Sequence, residues 1–217
     1  MSRDPVDTPV RAFQRCLLAS LFSMLGLSST GAASLAPKEL VAALRTGGYV
    51  ILMRHASSPR TPPEAASADP DNVNRERQLD ENGRASAQAM GAALRRLKIP
   101  VGQVLSSPTY RALQTVRLVQ LGTPRTYPEL GDSGQSMQAD ASGKRGAWIQ
   151  ARVAMPPPRG TNTAIVTHFP NIAEAFPVDG KGLDDGEALI LHPDGHGGAA
   201  VVARVKIDDW PRWAASQ

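Results

Sequence analysis

Residues 50–55 read Val-Ile-Leu-Met-Arg-His and residues 164–168 read Ala-Ile-Val-Thr-His. An apolar run this short has no polar face to offer water, so it suits a strand covered by other structure on both sides. Between and around these runs lie stretches with helical spacing, and strands that alternate with helices build an α/β sandwich around a largely parallel sheet.

The rest of the chain fits that plan. Leu40, Val41 and Leu44 mark a short helix that stops at Gly47 and Gly48. Residues 57–76 are rich in Pro, Ser, Ala, Asp and Asn and lack periodicity, which predicts a long loop; in compact domains such loops are commonly functional or disordered. From Asp80, a plausible N-cap, to Leu97 the apolar residues recur at spacings of three and four, as in an amphipathic helix. "VGQVLSS" predicts a brief strand. "PTYRALQTVRLVQLG" predicts a helix with Pro108 at its first position and Gly122 at its stop. Residues 131–146 are polar and glycine-rich, and "AMPPPRGTN" is a proline-rich loop. "PNIAEAF" reads as a helical turn, and "EALILH" and "AAVVARVKI" as two adjacent strands, so at least four strands are expected.

At 217 residues, 41% hydrophobic and 20% charged, the chain is the size and composition of one globular domain. Its net charge of +4 and isoelectric point near 9.6 suit an anionic partner. Basic residues are dispersed and aromatics make up only 5%, which argues against a nucleic-acid groove. The first 36 residues have the parts of a secretory signal: Arg11 and Arg15, then the 12 residues "CLLASLFSMLGL", then small residues suited to cleavage after Ala33 or Ala36. That run falls short of the roughly 20 residues of a membrane span, so stable membrane insertion is not expected. The expected organisation is a cleaved signal over 1–36 and one domain over 37–217, in a periplasmic or secreted protein. Cys16, the sole cysteine, lies in the leader, so neither thiol catalysis nor a disulfide is expected of the mature form.

Ligands of open α/β sheets bind beyond the carboxyl ends of the strands. In a shared parallel sheet, His55 and His168 emerge at one edge although 113 positions separate them. Arg111 falls about one turn into the predicted helix after Ser106 and Ser107, near an electropositive helix start. With Arg54, these residues make a cationic pocket suited to phosphate. A neutral imidazole can attack phosphorus in line while arginines neutralise the equatorial oxygens. No metal or other cofactor is required.

Two other motifs compete. "GDSG" at 131–134 is shared with the nucleophile region of trypsin-like proteases, but its surroundings differ and a flexible loop is expected. In "HPDGHGG" the intervening glycines favour a hairpin turn over a metal site at His192 and His196. Walker loop, dinucleotide fingerprint and Gly-x-Ser-x-Gly elbow are all missing.

Taken together, "RHA" after an apolar strand, "LDENGRASAQAMGAAL", "VLSSPTYRALQTV" and "AIVTHFPNI" resemble the histidine phosphatase superfamily, over about residues 38–207. The usual first motif is Arg-His-Gly; Ala56 stands in for the glycine. The resemblance implies a phosphoglycerate-mutase-like three-layer α/β sandwich with a mostly parallel central sheet. It implies a histidine acid-type phosphatase in which His55 becomes phosphohistidine and Arg54, Arg111 and His168 bind the phosphoryl group. Glu187 is favoured over Glu129 as general acid, and Arg77 is a candidate substrate contact. The expected substrate is a phosphorylated small molecule or envelope sugar phosphate, with a phosphohistidine protein as another option. The alternatives are a phosphate-sugar or polyanion binding module and a phosphomutase.

Overall fold

The computed structural model describes residues 34–132 and 144–216. The leader expected over 1–36 therefore lies almost wholly outside the described residues, as does most of the polar segment 131–146.

In chain order the elements are α1 (Pro37–Thr46), β1 (Val50–Arg54), α2 (Glu81–Arg96), β2 (Val101–Ser106), α3 (Tyr110–Val119), β3 (Arg125–Thr126), α4 (Arg145–Val153), β4 (Asn162–Thr167), α5 (Phe169–Ala175), β5 (Ala188–Pro193), β6 (Ala199–Val205) and α6 (Asp209–Ala215). A single 3-10 turn, Pro128–Leu130, follows β3. The six strands form one sheet in the order β3-β2-β4-β1-β5-β6. β1, β2, β3 and β4 are mutually parallel, while β5 pairs antiparallel with both β1 and β6. The sheet is thus mostly parallel, and the carboxyl ends of β1 and β4 are neighbours, with Arg54 opposite Thr167.

Strand period decides the layers. On β1, Ile51 and Met53 join one buried cluster while Val50 and Leu52 join another; on β4, Ala164 and Val166 part from Ile165 in the same way. Side chains of successive strand residues point to opposite faces, so an all-apolar strand feeds two cores. The first core takes Leu40 and Leu44 of α1, Met90 and Leu94 of α2, Val116 of α3 and Trp210 of α6. The second takes Ile149 and Val153 of α4 and Ile172 and Ala175 of α5. Helices on both faces give the three-layer sandwich.

Several local expectations are met and several are corrected. Asp80 caps α2, its Oδ1 accepting the Gly83 N–H at 2.7 Å. α3 starts two residues later than Pro108 suggested, because Thr109 is extended (φ −64°, ψ 145°) and serves as N-cap. Its hydroxyl is instead bonded to Ser107, at 3.1 Å. Arg111 is consequently the second residue of the helix and not one turn in. α4, α6 and the two-residue β3 lack a sequence counterpart in the reading above: each is short, and α4 abuts the polar segment. His192 and His196 belong to the β5–β6 hairpin, with Gly195 and Gly197 at positive φ in its turn.

Candidate active site

His55 leaves β1 into a backbone clamp. Its N–H donates to Thr167 O of β4 at 3.0 Å, and its carbonyl accepts the Gly186 N–H from the loop before β5, also at 3.0 Å. The ring is fixed by Nδ1, which donates to Ala56 O at 2.7 Å. Nε2 is then the unprotonated nitrogen, and Arg111 Nε donates to it at 3.2 Å. His55 is 4% exposed, and burial, with Arg111, Arg54 and Arg77 adding to it against the opposing Ala56 hydrogen bond, pushes its pKa down to about 3. The ring is neutral at ordinary pH.

His168, the residue before α5, lies edge-on to His55 with ring centroids 5.2 Å apart. Its Nδ1 accepts from Arg111 Nη2 at 3.2 Å, and its Nε2 donates to Ser107 Oγ at 2.9 Å. Burial, then the neighbouring His55 and Arg111, holds its pKa well below the usual histidine value. Arg111 itself is 1% exposed and also donates from Nη2 to Asp132 Oδ2 at 3.0 Å. One guanidinium thus spans both histidines and a buried carboxylate. Ala56 ties back to the same helix, its N–H donating to Thr115 Oγ1, which donates to Arg111 O. Ala56 is fully buried in the α2–α3 core and needs no positive φ, so alanine is accommodated where the superfamily usually has glycine.

Arg54 is half-buried. Its Nη1 donates to Leu183 O at 2.8 Å, its Nη2 lies 2.5 Å from Asp185 Oδ1, and Phe169 packs against the guanidinium at 5.9 Å. These groups open onto a cavity of about 960 Å³. Arg54, Arg60, Arg75, Arg77 and Arg111 line it with the two histidines, against two carboxylates, Glu76 and Asp185. Both carboxylates are engaged: Glu76 Oε2 accepts the Tyr110 N–H at 3.0 Å, and Asp185 faces Arg54. Arg77 lines the cavity as expected, but its Nε and Nη2 donate to the carbonyls of Pro59 and Ser58, so it also braces the loop.

The structure brings together Arg54, His55, Arg111 and His168, and it does not bring Glu187 to them. Glu187 is buried, with Oε1 and Oε2 on Arg204 at 2.5 and 2.9 Å and Oε2 also accepting the Asp184 N–H at 2.7 Å. The reason is Arg204 on β6: it pairs with the first residue before β5 and turns that carboxylate away from the cavity. Glu129, the other candidate acid, does not line the cavity either. The sequence reading missed Asp132, Thr115, Ser107 and Asp185. Asp132 lay in view as the second residue of "GDSG", and that stretch is better explained by Gly131 O, which accepts from Asn171 and Arg145 and so fixes Asp132 beside Arg111. Among the described residues, no group of three or more His, Cys, Asp or Glu is placed to hold a metal ion.

A family model described as the histidine phosphatase superfamily (branch 1) matches residues 50–160, just over half of the chain. The chain belongs to this superfamily. The matched stretch contains Arg54, His55 and Arg111, with Asp132 as well. Among solved structures, the superfamily member is similar to the protein histidine phosphatase SixA in complex with tungstate, at a TM-score of 0.51 and 20% identity over 74% of this chain and 98% of that one. It is also similar to a mutant phosphoserine phosphatase from Entamoeba histolytica in complex with phosphoserine, at a TM-score of 0.51 and 13% identity over 73% and 97%. At such identities these likenesses bear on the fold, which is the phosphoglycerate-mutase-like sandwich. No curated protein matches the chain.

Proposed function

We propose that the protein is a metal-independent phosphatase that hydrolyses a phosphomonoester through a phosphohistidine at His55. The observation that carries this is the pairing of a neutral, Nδ1-protonated His55 with Arg111 at its free nitrogen. Substrate phosphate enters the arginine-lined cavity and its non-bridging oxygens take the N–H groups of Arg54 and Arg111, with His168 beside them. The His55 Nε2 lone pair forms a bond to phosphorus as the bond to the leaving oxygen breaks and its electron pair departs with that oxygen. Water then attacks phosphorus, the P–N bond breaks, and neutral His55 and inorganic phosphate result.

The test is acid-labile labelling. Wild type should take radiolabel from a phosphate-labelled aryl phosphate, and His55→Ala should lose both the label and at least about 10³-fold in turnover. Full activity in that variant would sink the mechanism. Because both cavity carboxylates are engaged, a second reading is a polyanion binding module with weak turnover. An aryl leaving group needs little protonation, so hydrolysis of aryl but not alkyl phosphates identifies an intact nucleophile without an acid; loss of both with phosphate binding retained identifies the binding module.

The leader pattern supports export to the periplasm. Leu35 N–H donates to Val202 O of β6 at 2.9 Å and its side chain packs on the first core. Cleavage after Ala33 keeps that contact, whereas cleavage after Ala36 discards it. N-terminal sequencing of exported protein should therefore find Ser34.

A further inference from the structure

Five arginines line the cavity, yet one phosphoryl group is served by two of them, the half-buried Arg54 and the buried Arg111. The others come from the long connection 57–76 and the residue after it. That connection is a built wall and not a loose loop. Asp69 Oδ2 accepts from Gln114 Nε2 at 2.6 Å and Tyr110 Oη at 3.2 Å, Asp71 pairs with Arg117 and accepts from Tyr110, and Glu76 takes the Tyr110 N–H. These three acids are therefore committed to α3.

Both arginines of the same segment line the cavity, where Glu76 alone of the three acids joins them. Arg60 and Arg75 are exposed, line the cavity, and among the described residues have no carboxylate partner. Each sits on a braced turn. Arg77 donates to Pro59 O, immediately before Arg60. Asn72 donates from Nδ2 to Glu76 O, and its Oδ1 accepts the Glu76 N–H, closing a turn in which Arg75 has φ +49°. A left-handed backbone is costly for a long side chain and ordinary for glycine or asparagine. An arginine kept there by its neighbours, facing a cavity, is placed for what its side chain meets.

Building on the phosphatase reading, we infer that Arg60 and Arg75 form an outer anion subsite, and that the substrate is a phosphate ester carrying a second anionic group, phosphate or carboxylate. The inner arginines hold the scissile phosphate while the outer pair grips the distal charge. Guanidinium is suited to both groups because its fork matches either bidentately.

The experiment uses a matched series: hexyl phosphate, 6-(phosphonooxy)hexanoate and hexane-1,6-diyl bisphosphate. Wild type should show a KM on the order of tenfold lower for at least one two-anion ester than for hexyl phosphate, and which of the two gains more tells phosphate from carboxylate. In Arg60→Ala/Arg75→Asn that preference should collapse to within about twofold, with aryl phosphate turnover unchanged. Raising the salt should erode the preference in wild type, as expected for exposed charges. Equal KM values across the series in wild type, or a preference that survives in the double variant, overturns the subsite. Calorimetric binding of hexane-1,6-bisphosphonate against hexylphosphonate to His55→Ala repeats the comparison without turnover, so the subsite stands or falls separately from the phosphohistidine mechanism.

Discussion

Arg111 Nε lies 3.2 Å from His55 Nε2, with its N–H aimed at the one ring nitrogen that the Ala56 carbonyl leaves without a proton. The guanidinium therefore occupies the lone pair that the proposed mechanism would use. Under that mechanism, substrate phosphate draws the N–H groups onto its own oxygens and so frees the nitrogen for attack on phosphorus. Lysine at this position has no fork with which to span His55, His168 and Asp132 together. Arg111→Lys should lower kcat/KM for an aryl phosphate by on the order of 10²–10³-fold, with a folded circular-dichroism spectrum. Near-wild-type kinetics would show that the span is dispensable.

Both histidines are held neutral, and that has a cost in acid. The unfolded chain protonates His55 below about pH 6.5, whereas the folded chain resists to about 3. The unfolded state binds more protons throughout that window, so folding stability must fall as pH falls through it. From pH 6.5 to 5 the loss from His55 alone is about 2 kcal/mol, and His168 acts in the same direction. Urea unfolding across that interval measures the loss, and ring NMR should show the His55 imidazole still neutral at pH 5 and the His168 ring titrating below the usual histidine range. A ring titrating near 6.5 contradicts the assignment.

Gly83 offers a clean test of how α2 supports the site. A Cβ there falls 2.1 Å from Ser57 O, two residues after His55, while a Cβ at Gly91 falls 2.2 Å from Val119 O, on α3 away from the cavity. Overpacking of this kind costs about 1–3 kcal/mol. Gly83→Ala and Gly91→Ala should lose similar stability, but only Gly83→Ala should also lower kcat, since it pushes on the segment that carries His55. Equal kcat in both variants would mean that the Ser57 contact does not position His55.

Glu187→Gln separates a structural carboxylate from a proton donor. Weakening its pair with the half-exposed Arg204 should cost about 1–2 kcal/mol in denaturant unfolding. Turnover of alkyl and aryl phosphates should stay within about threefold of wild type. Selective loss of alkyl phosphate turnover would restore Glu187 as the acid.

The four central site residues were legible because each marks the end of an element that the sequence announces by itself: the apolar runs of β1 and β4 and the amphipathic pattern of α3. A parallel sheet does the rest, since it must bring those ends to one edge. The pairing of Glu187 away from the cavity was not legible, because a glutamate just before β5 carries no local sign of Arg204, which arrives from β6 across a hairpin. Asp132 was passed over for a similar reason: its role depends on Gly131, Asn171 and Arg145, which lie far apart in the chain. Period and spacing report local structure; partnerships made across the sheet leave no such trace.

The connection 57–76 has a net formal charge of −2 in the sequence, from two arginines and four acids, yet it brings both arginines and just one of those acids, Glu76, to the cavity. Asp69 and Asp71 grip α3 without lining the cavity, Arg60 and Arg75 line it without gripping α3, and Glu76 does both. The connection therefore behaves as an exchangeable faceplate: Arg60 and Arg75 could be traded for other residues to retarget the enzyme, while Asp69, Asp71 and Glu76 keep the plate fastened.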